Sequence, residues 1–103
     1  MIVRYDDEAL EEAMEAAAWY ETQQEGLVRR YLTKWKTAEL KMLAAPEINR
    51  IFDPENQLRR CRFEVFPYAL IYRIKDDEVQ VIAVAHQHQE PGYWRHRLEQ
   101  EES

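Results

Sequence analysis

Four residues near one end of the 103-residue chain could do chemistry: His86, His88, Tyr93 and Arg95. An imidazole exchanges protons near neutral pH, a phenol can supply or take one, and a guanidinium holds phosphate. Brought together by a folded-back tail, the four form an acid/base and phosphate-binding set. His86 and His88 also alternate, so on a strand they share a face and could reach one ion, with His96 as a distant third ligand. Structural metal sites need three or four ligands, and no cysteine pair or carboxylate pattern completes this one. The expectation is therefore surface or interface histidines, with no metal and no cofactor.

A second group is basic. Arg59, Arg60 and Arg62 form the densest cationic cluster, and their planar guanidinium groups can grip phosphate or an acidic peptide in a way lysine cannot. The structural alternative is that Arg60 and Arg62 cover the exposed face of an outer strand and discourage edge pairing. Trp94, beyond Pro91 and Gly92, either packs over a sheet or contributes to a partner hot spot. Trp19, Tyr20, Tyr31 and Trp35 fall at helical spacing and are expected in the core.

These side chains must be held by a small fold. At 103 residues and 46% hydrophobic composition, the chain has the size of one domain with one continuous core. A single cysteine, Cys61, excludes an internal disulfide and a thiolate cluster, as expected for a cytoplasmic protein. The start MIVRYDDEAL lacks the apolar run of a signal peptide or a membrane span. A net charge of −6 raises the cost of approaching nucleic acid as a whole molecule, so such binding would have to rest on local charge.

That charge is unevenly placed. Residues 1–25 carry eight acids against Arg4 alone, whereas residues 26–44 carry Arg29, Arg30, Lys34, Lys36 and Lys41 against Glu39. Helical periodicity accounts for both segments. Asp6 or Asp7 can cap a helix whose apolar stripe is Leu10, Ala13, Met14, Ala17 and Tyr20. Glu8, Glu11, Glu12 and Glu15 lie on another face, mostly near the positive end of the helix dipole. Gly26 supplies a turn, and Leu27, Tyr31, Trp35, Ala38 and Met42 mark a second helix that Pro46 stops. The charged faces are expected to be solvated, with a few cross-helix pairs of small worth.

Beyond Pro46 comes a polar connection, EINRIFDPENQ, and then period-two segments. In LRRCRFEV, Cys61, Phe63 and Val65 share one face and Arg60, Arg62 and Glu64 the other. YALIYRIK, a tight turn at Asp76 and Asp77, and EVQVIAVAH follow. The last is apolar on both faces and belongs inside a sheet. With MIVRY as a strand, the expected architecture is α+β in two layers: a helical hairpin packed on a mainly antiparallel four-stranded sheet, β-α-α-β-β-β. The domain spans residues 1–94, and residues 95–103 form a charged C-terminal tail with frayed last residues.

The order of features resembles a known family. EAL with an acidic-alanine helix, WYE, a glycine-leucine helix start, PE, an RR strand, FPYALIYRI, a two-acid turn, VIAVAH and PGYW together look like the ParE/RelE toxin superfamily, from Tyr5 to Trp94. The resemblance implies the toxin of a type II toxin–antitoxin pair, with a cognate antitoxin whose C-terminal segment wraps the toxin. RelE-type members cut mRNA on the ribosome; ParE-type members poison DNA gyrase. RelE-type nucleases usually carry an arginine inside the Y-x-L-x-Y strand and another past the last strand. Here Ala69 and the run His86, Gln87, His88, Gln89 stand at those places, and Tyr93 matches a nuclease tyrosine.

The resemblance therefore leans toward ParE: action by binding gyrase, with Arg60, Arg62, His86, His88, Tyr93 and Trp94 on the functional face. A metal-independent ribonuclease and an inactive relative that binds only antitoxin are the alternatives. Exposed sheet edges leave a homodimer or a toxin–antitoxin hetero-oligomer open.

Overall fold

The computed structural model describes residues 1–101, with side chains through Leu98. The fraying expected at the extreme end falls partly outside the described residues. The elements are β1 (Ile2–Tyr5), α1 (Asp7–Gln23), α2 (Leu27–Ala44), β2 (Ile51–Asp53), β3 (Leu58–Arg62), β4 (Tyr68–Lys75), β5 (Glu78–His86) and α3 (Arg95–Glu101). The α+β class and helical hairpin are as expected, but the sheet has five strands in the order β1-β5-β4-β3-β2. The extra strand is β2, cut from the polar connection. It is three residues long and pairs antiparallel with β3. β1 lies parallel to β5; the other pairings are antiparallel.

The helical hairpin covers one sheet face, but α1 is rotated from the expected phase. Ala9, Ala13, Ala16, Ala17 and Tyr20 are buried, whereas Leu10 and Met14 are 44% and 53% exposed. Alanines let the helix backbone sit close to β5, where longer side chains would hold it off. Trp19 is likewise exposed rather than in the core. Asp6 occupies the N-cap position without capping; its carboxylate accepts a hydrogen bond from Gln80 Nε2 at 3.1 Å. Gly26, at φ +83°, turns the chain into α2 in the left-handed region that favours glycine.

Tyr31 lies at the centre of this first core. Its hydroxyl donates to the Ala13 carbonyl at 3.0 Å, and its ring packs near Tyr20, Phe63, Phe66 and Tyr68. Cys61 and Phe63 face the hairpin as expected, but Val65 is exposed at φ +72° because the chain bends before β4. Asp76 and Asp77, both at positive φ, join β4 to β5, the conformation that suits the twist of a two-residue hairpin.

β5 is interior and apolar on both faces, and it carries a bulge. Ile71 pairs with Ala83 and Tyr72 with Val81, leaving Ile82 as the extra residue. Before it, Val79 and Val81 face the hairpin; after it, Val84 does, while Ala83 and Ala85 turn to the opposite face. On that face a second core gathers Leu58, Ala69, Ile71, Ile82, Trp94 and Leu98.

The segment expected as a charged tail is helical from Arg95 and closes this second core through Leu98. Arg97 anchors it: its Nη1 donates to Glu12 Oε1 at 2.8 Å and to the Ile82 carbonyl at 2.9 Å. Its Nε lies 2.7 Å from Glu8 Oε2, an ion pair without hydrogen-bond alignment. Glu12 also accepts from the Val84 amide at 3.1 Å and from the Tyr93 hydroxyl. The acidic face of α1 is therefore not simply solvated: Glu8 and Glu12, one helical turn apart, hold α3.

Candidate functional site

An open groove of about 500 Å³ lies at the end of the sheet where β3, β4 and β5 meet the bend before β4. Register builds its floor. Arg62, Ala69 and Ala85 form one cross-strand rung, and Arg60, Ile71 and Ala83 the next but one. The small side chains of Ala69 and Ala85 leave room above the sheet, and the two arginines border it. His86, Gln89, Pro91 and Trp94 supply another side.

The arginines of β3 divide by face. Arg59 points toward the end of α2, where its Nη1 donates to the Glu47 carbonyl at 2.7 Å and the Asn49 carbonyl at 2.6 Å. It ties down a loop and does not line the groove. Arg60 lies over the Phe52 ring at 4.4 Å, so β2 provides a platform for a groove residue. Burial, then the neighbouring charges of Arg62 and Arg50, lowers the Arg60 pKa. Neither Arg60 nor Arg62 has an acidic partner among the described residues. In a chain of net charge −6, these are uncompensated cations.

Trp94 is 4% exposed and packs edge-on to Phe52, with ring centroids 6.2 Å apart. It covers the sheet, as one of its two expected readings had it, and lines the groove as well. Its Nε1 has no hydrogen-bond partner among the described residues.

The four acid/base candidates are not assembled here: among them, His86 lines the groove and His88, Tyr93 and Arg95 do not. His86 stacks edge-on to Tyr68 at 5.0 Å, and its Nδ1 accepts from the His88 amide at 3.0 Å. Tyr93 serves the α3 anchor through Glu12. Burial, and then that hydrogen bond to the carboxylate, drive its pKa well upward. Arg95 folds against Gly92 so closely that a Cβ there would lie 3.1 Å from the guanidinium, and Gly92 sits at φ +86°. The Asn56 hydrogen bonds, helped by the Arg95 charge, hold the Asp53 carboxyl below its usual range. His96 is engaged elsewhere, its Nε2 3.3 Å from Glu8 Oε2. No group of three metal-ligating side chains occurs among the described residues.

Phe52 and Arg97 carry no signal in the sequence, and Glu8 and Glu12, expected on a solvated helix face, hold α3 instead. The four-residue spacing of Glu8 and Glu12 marks a shared face, but their partner is 85 residues from Glu12 and has no local signature.

Comparison with known proteins agrees with this architecture. No curated protein matches the chain. Among solved structures, one described as the chromosomal ParDE TA system from P. aeruginosa is similar in fold. Its TM-score is 0.63 at 13% identity, over 84% of this chain and 95% of that one. Residues 3–91 match the family model described as ParE toxin of type II toxin-antitoxin system, parDE. That stretch holds both helices of the hairpin, β2 to β5, β1 from Val3 on and most of the groove, and the chain belongs to the ParE toxin family.

Proposed function

We propose that this toxin acts by binding, with DNA gyrase as its target, and that a cognate antitoxin neutralises it at the face bearing Arg60, Arg62 and Trp94. The observation that carries the reading is the groove itself. It offers unpaired cations and an apolar floor, while of its acid/base candidates only His86, with His88 beside it, reaches the groove and Tyr93 is committed to Glu12. Metal-free RNA cleavage needs a base, a cation and an acid converging on one phosphate. Ala69 and Ala85 occupy the floor where such groups would stand.

A cytoplasmic place of action goes with such a target, and no helix among the described residues is long and apolar enough to cross a membrane.

Induced expression without antitoxin tests the proposal, scoring growth, DNA damage and bulk translation. Growth arrest with filamentation and DNA damage, while translation continues, is the expected outcome. Early loss of translation points to the ribonuclease instead. Unimpaired growth sinks both and leaves an inactive binding module.

A further inference from the structure

The helical hairpin buries one face against the sheet and turns the other to solvent, and that outer crest has an order that packing on the sheet does not require. Leu10 and Met14 on α1 and Leu32 on α2 are exposed, Leu32 by 42%. The Tyr31 hydroxyl bonds the Ala13 carbonyl, so the two helices are level there. Met14 and Leu32, each one residue further on, turn out of the core by the same step of about 100°, and Leu10 lies one turn from Met14. Together they mark an apolar seam along the crest, and contiguous exposed apolar surface points to association.

Charge is sorted to either side of that seam. On α1 the exposed residues Asp7, Glu11 and Glu15 recur every four positions. On α2 the exposed cations Arg29 and Lys36 share a stripe with Thr33 and Leu40, the leucine being 55% exposed. The three acids and Arg29 have no ion-pair partner among the described residues, and Lys36 meets only Glu39 of its own helix.

We propose that the crest is a self-association surface, on which two copies of this chain pair as a four-helix bundle about a two-fold axis parallel to the hairpin. Such an axis lays α1 of one copy antiparallel on α2 of the other and keeps every residue at its own level. Residues that are level within one hairpin then face each other across the interface. Counting along the antiparallel helices from Ala13 and Tyr31 sets Glu15 opposite the partner's Arg29 and Asp7 beside the partner's Lys36, with the apolar seams in contact between them. An axis across the hairpin would lay acid on acid, so the charges select one of the two geometries.

A second copy fits this surface because it carries the inverse pattern by construction, whereas an unrelated partner would have to supply both rows. Helices of 17 and 18 residues lying about 10 Å apart offer on the order of 500 Å², less than the roughly 800 Å² per partner of a standard interface. The dimer is therefore weak and reversible, and absent at the low concentrations of an unfolding measurement. The hairpin covers the sheet face opposite Ala69 and Ala85, so pairing leaves the groove floor open and is independent of the toxin's target.

Sedimentation velocity of the full chain from about 10 µM to about 1 mM is the test. The parent should pass from monomer to dimer over that range, and Met14→Glu, which sets a charge in the seam, should weaken association at least about tenfold. Glu15→Arg and Arg29→Glu should each weaken it alone, because every dimer then holds two like-charged pairs. Mixed in equal amounts they should associate again, since a mixed pair regains opposite charges at both places. All three positions are exposed, so circular dichroism should show an unchanged fold. A monomer at about 1 mM overturns the proposal and leaves the crest to a partner of another kind. A dimer indifferent to Met14→Glu overturns it in favour of another surface, such as the β1 edge with its exposed Met1 and Ile2. A parent that dimerises while the mixed variants stay apart refutes the axis.

Discussion

Replacing Glu12 with alanine should be the most damaging single change on the surface of α1. The carboxylate is 17% exposed and joins three elements: it accepts from the Val84 amide of β5, from Tyr93, and from Arg97 of α3. Without it, the Arg97 guanidinium, itself 9% exposed, keeps the Ile82 carbonyl and the more exposed Glu8. Breaking a buried ion pair by removing one partner costs about 3–5 kcal/mol, and the surviving contact to Glu8 places this case at the lower end, about 3 kcal/mol. For a domain of this size that corresponds to a drop of about 12–24 °C in melting temperature. Glu12→Gln keeps a carbonyl oxygen for the Val84 amide and Arg97 but sets an N–H2 against the Tyr93 hydroxyl, and should lose roughly half as much. Thermal unfolding by circular dichroism reads both, and limited proteolysis should show faster cleavage after Trp94 in Glu12→Ala. A melting temperature within about 3 °C of the parent would refute the view that Glu12 is the fastening of α3.

Three further outcomes follow from the packing. All six tyrosines have raised pKa values, with burial the leading cause and Tyr5, Tyr31 and Tyr93 shifted most. A phenol whose pKa rises on folding contributes stability that is complete below pH about 10 and is lost as pH climbs beyond it. Spectrophotometric titration should therefore show some of the tyrosines ionising only as the chain unfolds; complete ionisation of the folded protein near pH 10 would contradict the packing. Gly26→Ala meets no atom within 4 Å but must hold φ +83°, so strain alone should cost about 1–2 kcal/mol in urea unfolding. A neutral result there would mean that the α1–α2 turn relaxes. Leu10→Gln and Met14→Gln, on the exposed flank of α1, should each change stability by no more than about 0.5 kcal/mol; losses of several kcal/mol would restore them to the core.

Much of the framework is legible in local pattern. Gly26, Pro46 and the Asp76–Asp77 pair punctuate the chain where the structure turns, and Tyr31, Ala38 and Met42 are buried on α2 as their spacing implies. What fails locally fails for non-local reasons. On α1, leucine and methionine outrank alanine in hydrophobicity, but close approach to β5 selects Ala9, Ala13, Ala16 and Ala17. β2 is short and bounded by Pro54, so its three residues become a strand only through pairing with β3. In α3, Leu98 is the one buried apolar residue of a charged run, and the helix is held through Glu12, far away in sequence.

The groove shows the same division. The cationic pair Arg60 and Arg62 is visible in period-two spacing, and the structure brings it together with His86 and Trp94. Arg59 goes to the α2–β2 loop through Glu47 and Asn49, and Tyr93 to α1 through Glu12, partners distant in sequence, whereas Arg95 folds locally onto Gly92.

The proposal that this toxin binds gyrase, and does not cut RNA, can be read in vitro. Adding the purified protein to gyrase as it supercoils relaxed plasmid tests that most directly, with translating ribosomes on a defined mRNA as the parallel reaction. Loss of supercoiling with intact mRNA, weakened in Arg60→Gln/Arg62→Gln, is the expected result. Undisturbed supercoiling together with cleavage of the ribosome-bound mRNA would contradict it.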